Sequence, residues 1–214
     1  MFRLAPLLLV LLCGCGSTAV AELPAPAGPP ASPPLTAEPA GVVEPAQPAP
    51  DAFRIVDSAP CQDPLAEDGL AGGAQAVVLC GRARELRLLD TQTGKRVATA
   101  SAGIGPTRMV TDGKDATYVV DSLGEALLVY RRRPFQLIRR VHLGGAPYAI
   151  AFDRERWGLW ITRNGANDVV FYKAGWRPVL EQTYPSIRDA RHIAAEGDEI
   201  TVQSQTEVQR LRAK

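Results

Sequence analysis

Short apolar runs recur along the chain, each closed by a polar turn. "TYVVD" (117–121), "GLWIT" (158–162) and "EITVQ" (199–203) are β-branched or aromatic stretches bounded by Asp-Gly, Asn-Gly or Gly-Asp turns. Each is followed after about four polar residues by a second run: "ALLVY", "DVVFY" and "EVQRL". A weaker alternating stretch, "RVATASAG" or "LIRRVHLGG", then leads toward the next proline. No long stretch keeps helical apolar spacing together with caps, so the pattern predicts an all-β chain with low helix content.

The runs are copies of one unit. "GPTRMVTDGKDATYVVDSLGEALLVYRRRPF" lies on "APYAIAFDRERWGLWITRNGANDVVFYKAGW" at an offset of 41 residues, pairing Pro106 with Pro147, Asp112 with Asp153 and Gly124 with Gly165. The same offset brings Leu88-Leu89 onto Val129-Tyr130, and "RHIAAEGDEITVQSQTEVQRL" supplies a shorter later copy. On this alignment Trp160 matches Val119, and Trp157 takes the place of Ala116 beside a turn. Four antiparallel strands in about 41 residues is the spacing of a β-propeller blade.

"LRLLDTQTGKRVATASAGIGPTRMVTDGKDATYVVDS" resembles the YVTN type of β-propeller repeat, with the NHL and virginiamycin-lyase-like propellers as nearby relatives. The resemblance covers roughly residues 74–212 and implies a fold rather than a function, because such blades serve many ends. It predicts about four four-stranded blades in residues 51–214, as a small closed or nearly closed ring, which is preferred, or as a partial ring completed by a partner, including a second copy of the chain. The last unit lacks a fourth strand, and "AFRIV" (52–56) is the expected supplier.

The N-terminus places the protein. Arg3 precedes an apolar run from Leu4 to Leu12 that is too short to span a bilayer. Two cleavage readings stand: Leu12-Cys13-Gly14-Cys15 resembles a bacterial lipobox, with residues 1–14 as signal peptide and Cys15 lipidated. Ala19-Val20-Ala21 would instead release a secreted protein beginning at Glu22. Cys13 is unusual within a lipobox, but Gly14-Cys15 directly follows the apolar run, and the lipoprotein reading is preferred. Residues 21–50 contain ten prolines, so residues 15–50 are expected to form a disordered Pro/Ala-rich linker. In polyproline II, residues 21–50 alone would reach roughly 90 Å. The expected location is the extracytoplasmic side of a bacterial membrane, facing the periplasm or the cell surface.

Composition narrows the chemistry. Of 214 residues, 24 are basic and 23 acidic; removing Arg3, Glu22, Glu38 and Glu44 leaves 23 and 20, a mild +3 that gives no sign of nucleic-acid binding. Cys61 and Cys80 are an even pair in an oxidising compartment and are expected to form a disulfide, with a buried free thiol at Cys80 as the alternative. Asp112, Asp153 and Glu196 occupy one repeat position before a hairpin and read as turn caps rather than an acidic site. The only histidines, His142 and His192, lack metal-ligand spacing, and no cofactor or metal motif and no catalytic residue is assigned. The arginines of 131–133 and 139–140 suit anionic lipid or an acidic protein face, or simply a solvated turn and outer strand.

By resemblance, the loops joining second to third strands share one face with those joining successive blades. That points to Thr107, Arg108, Tyr148, Arg163, Asn164, Arg191 and His192 as binding-face candidates. Two functions remain. One is a non-enzymatic, membrane-tethered interaction module or accessory subunit of a cell-envelope complex. The other is a secreted or periplasmic hydrolase or lyase using the same loops.

Overall fold

The computed structural model describes residues 26–46, 61 and 63–213. Strand β1 (Val42–Pro45) comes first in the chain but belongs to the last sheet. The first sheet is β2 (Pro64–Leu70), β3 (Gln75–Cys80), β4 (Glu85–Asp90) and β5 (Arg96–Ser101). The second is β6 (Pro106–Thr111), β7 (Ala116–Asp121), β8 (Ala126–Arg131) and β9 (Gln136–His142). The third is β10 (Pro147–Asp153), β11 (Gly158–Arg163), β12 (Asp168–Lys173) and β13 (Val179–Pro185). The fourth is β14 (His192–Glu196), β15 (Glu199–Gln203) and β16 (Glu207–Arg212), with β1 as its outer strand. All pairings are antiparallel, as the repeat predicts.

Strand position within a blade explains its sequence. In the two middle blades the second and third strands are covered on both faces and read as continuous apolar runs; all six residues of β7 are buried. The outer strands β5, β9 and β13 are largely exposed. Apolar side chains between successive blades form three cores. Leu79, Leu86 and Tyr130 lie between blades one and two, Tyr118, Leu127 and Ile161 between two and three, and Trp160, Ile200 and Leu211 between three and four.

The register differs from the expected one by a residue at one point. From blade one to blade two the second and third strands keep the 41-residue offset, but β11 follows β7, and β12 follows β8, by 42. The extra residue lies in the β10–β11 turn, where Trp157 adopts a left-handed backbone (φ 51°). Trp160 therefore corresponds to Tyr118, not Val119, and Gly158 rather than Trp157 stands where Ala116 stands. Both aromatics are fully buried in the core facing the next blade. Gly158 must lack a side chain because the Phe171 ring occupies the space of a Cβ.

The fourth strand of the last blade is the second difference. "AFRIV" lies outside the described residues, and Val42–Pro45 takes the outer place, pairing Val42 with Arg210 and Pro45 with Glu207. Pro45, which cannot donate to a ladder, is tolerated on this edge. Gly41 (φ 78°) lets the chain approach β16 so closely that a Cβ would overlap the Arg210 carbonyl. Residues 29–46, expected within the linker, thus run against the blades.

The ring is not closed by hydrogen bonds between sheets. The inner strands adjoin in the order β2–β6–β10–β14, and β14 and β2 do not pack together as these neighbours do. Of the two expected arrangements, the open one fits. The two end faces are treated differently. On blade one, Val78, Cys80 and Leu89 are covered together with Cys61, which is joined to Cys80 as a disulfide with Cα atoms 5.9 Å apart. On blade four, register places Glu44, Arg210, Glu199, Thr201 and Gln203 on the outward face, where Arg210 pairs with Glu44 and Glu199. A polar outer face is the usual finish of a terminal repeat.

Candidate functional site

The upper face carries the β7–β8, β11–β12 and β15–β16 turns and the loops between blades. The turns of blades two and three close by the same bond, Glu125 N–H to Ser122 C=O at 3.2 Å and Asn167 N–H to Asn164 C=O at 3.4 Å. Glu125 and Asn167 both take left-handed backbones, which asparagine tolerates better than most residues. Asp121 ties the preceding loop down, accepting from Gly105 N–H at 2.7 Å, Gly124 N–H at 3.1 Å and Ile104 N–H at 3.2 Å.

The candidates from the sequence share this face but hold different jobs. Thr107 is buried, donating to the Tyr148 carbonyl at 2.8 Å and lying 3.2 Å from Ser122 Oγ. This joins the inner strands of blades two and three. Arg108 lies over the Tyr148 ring, 5.3 Å from its centroid, and donates to the Thr107 carbonyl. Arg163 makes a two-pronged pair with Asp168 at 2.8 and 2.6 Å and also donates to the Leu143 carbonyl. The Asp168 hydrogen bonds hold the Arg163 guanidinium above its usual pKa, against the opposing effect of burial. These three are knitted into the scaffold, which leaves blades three and four as the place where the face meets something.

What it meets is the chain itself. Pro26 packs at Gly81 of blade one, and residues 30–34 cross to blades three and four. Asn164 Nδ2 donates to the Pro30 carbonyl at 3.4 Å, and Asn167 Nδ2 to the carbonyls of Pro33 at 3.0 Å and Pro34 at 3.4 Å. Between them Ser32, only 7% exposed, forms a reciprocal pair. Its N–H donates to Asp189 Oδ1 at 2.9 Å, and its Oγ accepts from the Asp189 N–H at 2.7 Å. Arg188 Nη2 donates to the Ser32 carbonyl at 3.0 Å. A segment rich in proline offers many carbonyl acceptors and few N–H donors, and the face answers mainly with donors.

Beside this segment lies a cavity of about 440 Å³, bordered by Ala31, Arg188, Arg191, Gln205 and Glu207. Arg191 is half-buried at its edge; its N–H donates to the Gln203 carbonyl, and Gln205, turned with its carbonyl inward, accepts from the guanidinium at 2.8 Å. His192 opens β14 on the outward face of blade four, paired through its backbone register with Gln203. The structure thus brings Asn164 and Arg191 near the crossing segment and places Thr107, Arg108, Tyr148 and Arg163 in the scaffold. Sequence reasoning missed Ser32, Asn167, Arg188 and Asp189; the Asn-x-x-Asn spacing in "NGAN" was the available signal.

The arginine clusters do not form one patch. Arg132, at the lower turn of blade two, bonds Asp115 at 3.1 Å and Gln75 at 3.1 Å, whereas Arg140 donates to the Gly124 carbonyl on the upper side. The turn carboxylates diverge too. Asp112 accepts from the N–H groups of Lys114, Asp115 and Ala116, the expected cap, but Asp153 is buried and reaches beyond its turn to Trp160. Among the described residues no group of three or more His, Cys, Asp or Glu could hold a metal ion, and no helix is long and apolar enough to cross a membrane.

No protein-family model and no curated protein matches the sequence. Solved structures do match in fold. Hydrazine synthase from Kuenenia stuttgartiensis aligns with a TM-score of 0.62 at 14% identity, over 77% of this chain and 49% of that one. Virginiamycin B lyase from Staphylococcus aureus aligns at 0.58 and 16%, over 71% and 52%. The β-propeller domain of Cps50 (Swd1) from Myceliophteria thermophila aligns at 0.57 and 10%, over 71% and 54%. The chain thus spans about half the length of the propellers it resembles, and its fold is that of a β-propeller arc of four four-stranded blades.

Proposed function

We propose that this chain is a non-enzymatic propeller module that binds a protein partner in the bacterial cell envelope, tethered to a membrane through lipid on Cys15. The observation that carries the reading is the upper face of blades three and four, whose Asn164, Asn167, Arg188 and Asp189 grip an extended polypeptide. A surface that already satisfies peptide carbonyls and N–H groups is chemically suited to peptide recognition. Residues 1–25, including Cys15 and both cleavage sites, lie outside the described residues, so the tether rests on the sequence signal alone.

Docking of the segment shortens the tether this reading implies. Cys15 and Pro26 are eleven residues apart, which spans at most about 40 Å when extended. The upper face would then stay close to the bilayer, where a membrane-complex partner is accessible. Completion of the ring by a second copy is not part of the proposal. The outward face of blade four carries Glu44, Glu199 and Arg210, and taking these charges out of water costs more than their exposed pairs return.

The intact mass of the mature protein tests the tether: a diacylglyceryl-Cys15 start supports it, and a Glu22 start overturns it. Co-purification with an envelope membrane complex, lost in C15A, supports the accessory-subunit role. Turnover of a lactone by the purified chain, abolished in R108A or H192A, would replace the module reading with the lyase one.

A further inference from the structure

We infer that the groove between the β11–β12 turn and the β13–β14 loop is a binding site for a proline-rich, serine-centred segment of a partner protein, with residues 30–34 of the chain as its resident occupant. The inference deepens the interaction-module reading and rests on it.

Three observations carry it. First, the recognition is made by side chains and loop amides rather than by sheet pairing, so it does not depend on the chain being continuous. Asn164, Asn167 and Arg188 donate to four carbonyls along five residues, and Asp189 recognises the one residue that presents both an N–H and a hydroxyl. A proline at the Ser32 position would lose both Asp189 contacts; an alanine would lose one. Second, extended proline-rich peptide is preformed, so a partner's segment forfeits little chain entropy on binding. Third, the resident occupant leaves space. Ala31 borders the cavity of about 440 Å³ that Arg191 and Gln205 also border, so a competitor with a longer side chain there would gain contacts that Ala31 does not make.

The resident segment then acts as a competitor held at high effective concentration, which a partner must displace. Only residues 30–34 need leave the face, because β1 is held separately by its ladder to β16. The partner class is a protein with an exposed Pro-x-Ser-Pro-Pro stretch.

A labelled peptide of residues 28–36 ("GPPASPPLT") is titrated against the full chain carrying S32R, whose bulky side chain cannot occupy the buried Ser32 position. Binding about tenfold tighter than to the wild-type chain is expected, about 1.4 kcal/mol released by removing the internal competitor. Adding D189A or N167A to S32R should abolish it, and a peptide with glutamine in place of Ala31 should bind at least as well. Absence of peptide binding to S32R overturns the inference, as does binding insensitive to D189A and N167A, or a Ser32 position whose replacement leaves hydrogen exchange at the Asp189 amide unchanged. Should S32R not fold, excess peptide added to the wild-type chain must accelerate exchange at the Ser32 amide, and failure to do so is equally fatal. A partner captured without any proline-rich segment would leave the module reading standing while removing this one.

Discussion

Trp160 donates its indole N–H to Asp153 Oδ2 at 3.1 Å, joining the buried end of one strand to the core of the next within blade three. The same carboxylate accepts from the Arg156 N–H at 2.9 Å and its guanidinium at 3.2 Å. Burial pushes the Asp153 pKa up, but these hydrogen bonds and the Arg156 charge together hold it below the ordinary aspartate value. With the folded pKa below the unfolded one, the stabilisation is present above the unfolded pKa and is lost as pH falls through the folded pKa. Urea unfolding between pH 6 and about pH 2 should show a loss of stability toward acid that is smaller in D153N. At neutral pH D153N should itself cost about 1–3 kcal/mol, because the amide has one acceptor oxygen and cannot satisfy all three donors.

Arg156 extends that contact across a blade boundary. Its guanidinium bonds the Gly197 carbonyl at 2.9 Å and Asp198 at 2.7 Å, linking blade three to blade four. The two partners should respond unequally. Asp198 is 82% exposed, so D198A should change stability by no more than about 0.5 kcal/mol. R156A strips a buried carboxylate of its cation and should cost about 2 kcal/mol. Equal effects in thermal melts of the two variants would show that the exposed pair, not the Asp153 contact, matters.

Much of this was legible from the repeat and some was not. The hydrophobic pattern placed Tyr118 and Trp160 in equivalent strands, because a strand covered on both faces must be apolar throughout. A one-residue insertion next to a turn shifts register without disturbing apolarity, so pattern matching set Trp157 opposite Ala116 rather than in the longer turn. The structure resolves it through contacts: Trp157 meets Phe152 edge-on at 5.2 Å and carries Lys114 above its ring at 4.3 Å. The docking of residues 30–34 was hidden for a different reason. Its composition cannot build a core, and a segment that docks through carbonyls on a preformed face leaves almost no hydrophobic signature.

Tyr118 gives an alkaline counterpart to Asp153. Its ring is fully buried between blades two and three, and its oxygen accepts from the Gly175 N–H at 3.0 Å. Burial, aided by the Asp112 charge and opposed by the Gly175 hydrogen bond, pushes its pKa up to about 12. A raised folded pKa contributes stability that is fully present below the unfolded value near 10 and is lost as pH rises through about 12. Chemical denaturation across this window should show stability falling, and Y118F should flatten that part of the decline. Y118F should also weaken the fold at neutral pH by about 1 kcal/mol through the unpaired Gly175 N–H.

The disulfide fastens the chain to the outer face of blade one. Cys61 and Cys80 are 19 residues apart, and a cross-link of that span stabilises by about 3 kcal/mol in the chain-entropy model. Replacing both cysteines by serine should lower stability by that order and also expose Val78 and Leu89, which share the cluster with the bridge. Dye binding to exposed apolar surface should therefore rise in the double variant below its melting point. Lost stability without new dye binding would mean that the bridge acts on the unfolded chain alone.

Gln209 holds the last blade's outer strand. It is fully buried, its Oε1 accepts from Ser186 Oγ at 2.9 Å and the Ile187 N–H at 3.2 Å, and its Nε2 donates to the carbonyls of Ala40 at 2.7 Å and Pro185 at 2.9 Å. One amide thus ties the β13–β14 loop to the chain just before β1. Val42–Pro45 is exposed at every residue, so the strand has little apolar burial of its own and depends on its ladder and this anchor. Q209L keeps the volume but strips the Ser186 hydroxyl, the Ile187 N–H and the Ala40 carbonyl of their Gln209 bonds, a loss of about 2–4 kcal/mol. Hydrogen exchange should show the amides of residues 42–44 opening far more often in Q209L, with the three interblade cores still protected. Uniform loss of protection across all four blades would mean instead that β1 and the arc unfold as one cooperative unit.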